Sequence, residues 1–347
     1  MNPPIRVGVN GYGTIGKRVA DAVARQPDMR VSGIADIRPN FEVLTARDKG
    51  FPVFISGPGK EEEFRAEQIE VAGRLADLLQ ASDIVVDGAP EGVGRENAKL
   101  YETAGIPAVF QGGEKADVAD VSFSALANFD QARGRKRVRV VSCNTTGLCR
   151  AVAVLLPAYG VEHWEATLAR RAADPSEVGK GPIDGILPSF KIPSHQGPDV
   201  QTVFPGLSIT TAAMVVSTTL MHVHVNHVRL SRPPASAQEV VDRFRASPRF
   251  HIFREGDRVS GTPQVMEYGR DRSLGGRPDV MENVLWENGI HLKGKDLYFF
   301  QAIHQESIVI PETVDAIRAV LDLSPDAKSS IERTDHALGI PHPRAAA

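Results

Sequence analysis

Short apolar runs alternate with amphipathic stretches through the first third of the chain. Ile5–Asn10 reads as a strand, residues 15–25 have helical spacing, and residues 30–35 read as a second strand. Leu75–Gln80 then predicts helix, 83–87 strand, 96–104 helix and 107–110 strand. Glycine and proline punctuate the joins, as at Gly57-Pro58-Gly59 and Gly88-Ala89-Pro90. Strands that alternate with helices imply βαβ units and a parallel sheet. From Val161 onward the pattern changes. Apolar positions alternate within 167–169, 207–216, 221–228 and 297–302, and helical spacing is clear only at Ala237–Arg245. That predicts a mixed or antiparallel sheet. Residues 311–323 open with Pro-Glu and continue at helical spacing, as a helix start should, and 345–347 predict a frayed tail.

Composition narrows the class. A chain of 347 residues has room for about two domains. Its 42% apolar and 24% charged residues match soluble globular proteins and argue against a disordered or fibrous chain. The net charge of -3 gives no basic field, so nucleic acid is not an expected partner. A membrane is not expected either, because no apolar run approaches the ~18 residues of a span. The start, Met1-Asn2-Pro3-Pro4-Ile5-Arg6, lacks the pattern of a signal peptide, and two cysteines cannot build a disulfide framework. The expectation is a cytoplasmic chain in which a lone reduced cysteine can serve as a nucleophile. The basic run from Arg133 to Arg139 is short and has no interleaved aromatics, so it reads as a solvated turn before a strand rather than a polyanion patch.

Gly11, Gly13 and Gly16 fit G-x-G-x-x-G between a predicted strand and a predicted helix. The first glycine permits the tight turn, the second lets a pyrophosphate approach the backbone, and the third lets helix and strand pack closely. A helix N-terminus adds N–H groups and partial positive charge for the phosphates. Asp36 ends the second strand at the spacing of a ribose-binding acid. Its carboxylate favours NAD by opposing a 2′-phosphate, while Arg38 leaves NADP possible.

A second strand-to-helix junction carries Ser142-Cys143-Asn144-Thr145-Thr146-Gly147 after the strand 138–141. A cysteine at a helix N-terminus is favoured as thiolate, which makes Cys143 a candidate nucleophile. Cys149 lies inside the helical stretch and reads as a small core residue. In Met221-His222-Val223-His224-Val225-Asn226, the residues His222, His224 and Asn226 share one strand face. No third or fourth ligand stands at zinc spacing, so no metal is expected, and a base serving Cys143 is the better use of one histidine. His195 and His304, each in a polar segment, are further candidates for contact with an anionic substrate.

Several motifs together resemble the archaeal-type (type II) phosphorylating glyceraldehyde-3-phosphate dehydrogenases. They are Asn10-Gly11-Tyr12-Gly13-Thr14-Ile15-Gly16-Lys17-Arg18-Val19, Phe110-Gln111-Gly112-Gly113-Glu114-Lys115, Val141-Ser142-Cys143-Asn144-Thr145-Thr146-Gly147 and His304-Gln305-Glu306-Ser307. Arg170-Arg171-Ala172-Ala173-Asp174-Pro175 and Thr218-Thr219-Leu220-Met221-His222 resemble the same family, in register from about Ile5 to Asp335. The resemblance implies that Cys143 is the acylated nucleophile and that His222, not His224, is its acid/base partner. It implies a cofactor set of Gly11, Gly13, Thr14, Ile15, Gly16, Asp36, Gly113, Arg171 and Gln305. Ser142, Asn144, Thr145, Arg170, His195 and Gln196 would surround substrate and phosphate, with Arg171 beside them.

The implied fold is α/β: an N-terminal Rossmann doubly wound parallel sheet, residues 1–142 and 305–347, with an inserted mixed-sheet α+β catalytic domain, residues 143–304. The final helix would pack back on the first domain. The implied reaction oxidises and phosphorylates D-glyceraldehyde 3-phosphate with inorganic phosphate and NAD(P), giving 1,3-bisphosphoglycerate through a Cys143 thioester. His222 would remove the hydroxyl proton as hydride leaves. A cytoplasmic homotetramer in glycolysis or gluconeogenesis is implied. Two positions depart from the pattern: Asp36 stands where many members carry Lys, and Gln196 follows His195 where a second His is common. A semialdehyde dehydrogenase on the same plan would need an acid–Arg pair in place of a double anion site. A non-catalytic NAD-sensing or RNA-binding protein would have no use for the Cys143/His222 pair.

Overall fold

Every residue of Ile84–Asp87 is buried, as a strand covered on both faces must be. It is the fifth of eight parallel strands: β1 (Ile5–Asn10), β2 (Met29–Asp36), β3 (Val53–Ile55), β4 (Val71–Arg74), β5 (Ile84–Asp87), β6 (Ala108–Phe110), β7 (Val121–Phe123) and β8 (Arg137–Val140). Their order across the sheet is β4-β3-β2-β1-β5-β6-β8-β7. The direction of winding therefore reverses between β1 and β5, and a reversal of this kind opens a crevice at the carboxyl ends of the strands. The structure is a computed structural model and describes residues 3–111, 113–173, 181, 184–273 and 276–341. Gly112, Asp174, Pro175 and the tail 345–347, all named above, lie outside the described residues.

The chain divides into two compact units. The first holds this sheet through Ser142 and regains the chain from Ile310 to Leu338. The returning helix Val309–Val320 starts two residues before the expected Pro311. Its fully buried Arg318 donates to Asp28 and Gln26 at 2.8 and 2.7 Å, which ties the end of the chain to its beginning. Residues 305–309 cluster with the second unit rather than the first, so the expected boundary at 304 moves a few residues on. Of the basic run, Arg133 pairs with Asp130 and Asp322, Arg137 with Asp120, and Arg139 is buried against Ser122.

The second unit is built on a mixed sheet: β9 (Val161–Arg171), β10 (Ile186–Pro188), β11 (Ile209–Val216), β12 (His222–Leu230), β13 (Phe250–Phe253), β14 (Asn283–Trp286), β15 (His291–Lys293) and β16 (Asp296–Ile303). The order is β10-β11-β9-β12-β16-β14-β13, with β15 paired to β16. β9 and β11 run parallel, while β12 is antiparallel to both β9 and β16. Along β12 burial alternates, so His222, His224, Asn226, Val228 and Leu230 point inward. The inner face is closed by aromatics: Trp164 meets Phe299 edge-on at 5.8 Å, and Phe244 lies 5.5 Å from Phe299. This face also receives the helix Cys143–Tyr159, because His224 and Gly147 each take contacts across it.

Candidate active site

In the first unit the glycine loop follows β1 and opens the helix Gly16–Arg25. Gly11 has φ +91°, and a Cβ there would stand 2.7 Å from the Gly88 carbonyl carbon. A Cβ on Gly16 would fall 1.8 Å from the Gly11 oxygen, so loop and helix start can close up only on glycine. Gly13 differs, because a Cβ there meets nothing within 4 Å and the backbone is open to a ligand. Asp36 braces the loop: one carboxylate oxygen accepts from the Tyr12 amide at 2.9 Å, the other from the Ile37 and Arg38 amides. On the other side of the crevice Asp87 accepts from Tyr101, Asn97 and the Ala89 amide, and Asn10 donates to Tyr101. Burial raises the Asp87 carboxyl above its ordinary value. Gly113 is exposed on the loop after β6. An open backbone at a helix start, braced on both sides, fits a dinucleotide pyrophosphate.

In the second unit Cys143 is the first residue of a 17-residue helix and is partly exposed. Its sulfur lies 3.7 Å from Nε2 of His222, the first residue of β12, and 3.8 Å from Nδ2 of Asn144. The backbone amide of Arg171, at the end of β9, donates to His222 Nδ1 at 2.9 Å. A backbone N–H can only donate, so Nδ1 is the acceptor and the neutral ring carries its proton on Nε2, facing the sulfur. Burial, and then the electrostatic influence of the neighbouring His224, Arg170, Arg171 and His304, push His222 well below the usual imidazole range. While the Arg171 bond stands Nε2 is the donor; the expected role as proton acceptor would need the ring proton on Nδ1 instead. The arrangement donates a hydrogen bond toward the Cys143 sulfur and stays neutral. Among the described residues, no group of three or more His, Cys, Asp or Glu could hold a metal ion.

The other expected residues divide. Asn144 is buried between Cys143 and His224. Thr145 is fully buried and donates to Asp199 at 2.7 Å. Arg171, expected at the cofactor, has its guanidinium held inside the unit by Gln305, Glu306 and the Thr219 carbonyl. Gln305 takes part as acceptor in that cluster. Arg170 has a buried Nε, and fully buried Gln196 a buried Nε2, with no partner for either among the described residues. Gln196 is held at its other end by the Ser194 hydroxyl, while His195 is exposed and starts the helix Gln196–Gln201. Arg170 also lines a small cavity with Leu187, Ser189 and Met214. Ser142 is partly buried where the first unit ends. His304 is buried, and its Nδ1 accepts from the Val280 amide.

Two buried residues that reach His224 directly or through one another escaped the sequence reading, Gln301 and Asn283. Gln301 had a signal: it is a polar residue at an inward position of β16, between inward Phe299 and Ile303. Asn283, the first residue of the short β14, had none.

Comparison with known proteins agrees with the motifs. Residues 142–276 match the family model for the glyceraldehyde 3-phosphate dehydrogenase C-terminal domain. The glyceraldehyde-3-phosphate dehydrogenase of Halobacterium salinarum is 51% identical over 339 residues, covering 97% of this chain and 100% of that protein. The enzyme of that name from Archaeoglobus fulgidus is 48% identical, covering 97% and 98%. That from Methanothermobacter thermautotrophicus is 45% identical, covering 97% and 99%. Among solved structures, aspartate semialdehyde dehydrogenase II from Vibrio cholerae shares the fold, with a TM-score of 0.65 at 12% identity over 91% of this chain and 97% of that one. With half of its residues shared with named enzymes over nearly their whole length, this chain belongs to the glyceraldehyde-3-phosphate dehydrogenases.

Proposed function

We propose that the second unit converts D-glyceraldehyde 3-phosphate to 1,3-bisphosphoglycerate through a thioester on Cys143, with NAD as preferred acceptor and NADP possible. The observation that carries this reading is Cys143 Sγ at 3.7 Å from the Nε2 of a buried, neutral His222. The Cys143 thiolate adds to the aldehyde carbon, a C–S bond forms, and the carbonyl electron pair moves to oxygen. His222 Nε2–H donates to that alkoxide, so no proton need be removed from it. Hydride leaves the carbon as the C=O bond reforms, and a bound nicotinamide would supply its acceptor. Inorganic phosphate then attacks the thioester carbonyl, and the Cys143 thiolate leaves with the C–S electron pair. The buried donors of Arg170 and Gln196, without a partner among the described residues, favour an anionic substrate group near β9.

The dinucleotide would lie on the Gly11–Gly16 loop, where Gly13 leaves room, with Thr14 and Ile15 at the diphosphate, Gly113 toward the nicotinamide and Asp36 at the adenosine ribose. Val225, Tyr298 and Phe300 leave an apolar patch on the outer sheet face, each at least 40% exposed, and we read that patch as a contact of a cytoplasmic homotetramer. Among the described residues, no helix is long and apolar enough to cross a membrane.

Enzyme incubated with aldehyde and NAD without phosphate, quenched in acid and digested, should carry a phosphoglyceroyl adduct on the Cys143 peptide. Added phosphate should release it. An adduct on another residue, or none with full turnover, overturns the reading. Light scattering at assay concentration tests the tetramer.

A further inference from the structure

His224 lies outside the reaction as written, yet it is fully buried beside it. Its Nε2 is 2.7 Å from Asn144 Oδ1 and its Nδ1 is 3.0 Å from Gln301 Nε2. Gln301 Oε1 accepts from Asn283 Nδ2 at 2.9 Å, and the same Nδ2 donates to the Gly147 carbonyl at 2.7 Å. Asn283 Oδ1 faces Arg150 Nη1 at 3.5 Å. The polarity of this chain is set at its far end. A carbonyl can only accept and a guanidinium can only donate, so Asn283 must present its amide N–H groups to Gly147 and Gln301. Gln301 must then donate to His224 Nδ1, and His224 carries its proton on Nε2. Asn144 must accept from it with Oδ1, which turns its Nδ2 toward Cys143, 3.8 Å from the sulfur.

We infer that His224 is a positioning residue: acting through Asn144, it holds an amide N–H on the Cys143 sulfur and so favours the thiolate. The inference rests on the reading of Cys143 as nucleophile. Burial lowers His224 to about 3, so it keeps one protonation state throughout the working range. Two N–H donors thus converge on one sulfur, one from His222 directly and one relayed from His224. Among the described residues, the other titratable or charged groups facing this network include Arg170, Arg171 and His304, which act on His222, Arg150, which faces Asn283, Glu306, which pairs with Arg171, and Asp199, which holds Thr145.

The test is the pH profile of Cys143 alkylation by iodoacetamide in the full-length protein, with the labelled peptide identified by mass. Wild type should ionise below the ordinary thiol value of about 8.5. His224→Leu removes the relay and should raise the apparent pKa by about one unit, the size of one hydrogen bond to a charge. His224→Gln can donate to Asn144 and accept from Gln301, and should restore it. In an Asn144→Ala background, His224→Leu should add nothing further. Should His224→Leu not fold, Gln301→Met, which frees Nδ1 and keeps the ring, should raise the value in the same direction. A profile unchanged in folded His224→Leu or Gln301→Met, or equal shifts with and without Asn144, overturns the relay. A wild-type Cys143 with an ordinary thiol profile overturns the nucleophile itself, and shows before any variant is made.

Discussion

The Arg171 amide donates to Nδ1 of His222 across 2.9 Å, and this bond decides which side of the imidazole carries its proton. An imidazolium would need a proton on Nδ1 as well, opposed by that amide. Geometry and burial therefore act in the same direction, toward a neutral ring that donates from Nε2. The strand end positions this amide, and the Arg171 side chain, paired with Glu306, anchors the strand end.

Removing the His222 donor should slow hydride transfer more than it weakens substrate binding. In His222→Asn the single-turnover rate of cofactor reduction should fall by about 10²–10³-fold, as for loss of one oxyanion donor. The Michaelis constant for aldehyde should change little. In wild type the same rate should show no ionisation near 6.5, the ordinary imidazole value, because the folded ring titrates far below it. An unchanged rate in His222→Asn removes the assigned role.

The two cysteines should separate cleanly. Cys143→Ser should bind cofactor almost normally and lose turnover, since a hydroxyl is not ionised near neutral pH. Cys149 is fully buried, so Cys149→Ser should keep most activity while losing about 1–3 kcal/mol of stability from a buried hydroxyl. Activity assays and denaturant melts on both variants check this, and exchanged behaviour reverses the assignment.

Asp36 has two tasks that substitution can divide. Asp36→Asn keeps an oxygen for the Tyr12 amide and removes the charge. The ratio of kcat/KM for NADP to that for NAD should then rise roughly tenfold, a modest share of the charge repulsion expected at close range. Asp36→Lys should raise the ratio further and lower both efficiencies, because the loop loses its brace. A ratio that does not move in either variant means that Asp36 does not face the ribose.

Acid should destabilise the fold through His224. Its folded value is about 3 and its unfolded value 6.5. Between them the unfolded chain binds a proton that the native chain does not, so stability is complete above 6.5 and falls as pH falls. At about 1.4 kcal/mol per pH unit, acidification from 6.5 to about 5 costs about 2 kcal/mol. Urea midpoints at fixed protein concentration should fall across this window in wild type and less in His224→Gln. Parallel curves would show that His224 is not buried neutral.

Periodicity alone located much of the frame. β1 and the helices Leu75–Gln80 and Ala237–Arg245 stand where their patterns placed them, because each buries a face that repeats in the chain. The short strands β3, β4 and β7 are not predicted, although the equally short β5, β6 and β8 are, since three or four residues carry too little pattern to mark a strand reliably. The inward face of β12 was legible as His222, His224 and Asn226, and the glycine spacing as a phosphate-sized turn.

The sequence by itself determined which residue types stand at the two strand-to-helix junctions, a glycine loop and a cysteine, since local chain geometry demands them there. What each histidine does was decided only by tertiary structure. His222 and His224 are two residues apart on one face and chemically identical as letters. They differ because β9 brings a backbone amide to one and β16 brings the Gln301 side chain to the other. Arg170 and Arg171 divide for the same reason: the first keeps a buried donor without a partner among the described residues, the second is locked to Glu306. A proton's position on a ring follows from the donor opposite, and that donor lies far along the chain.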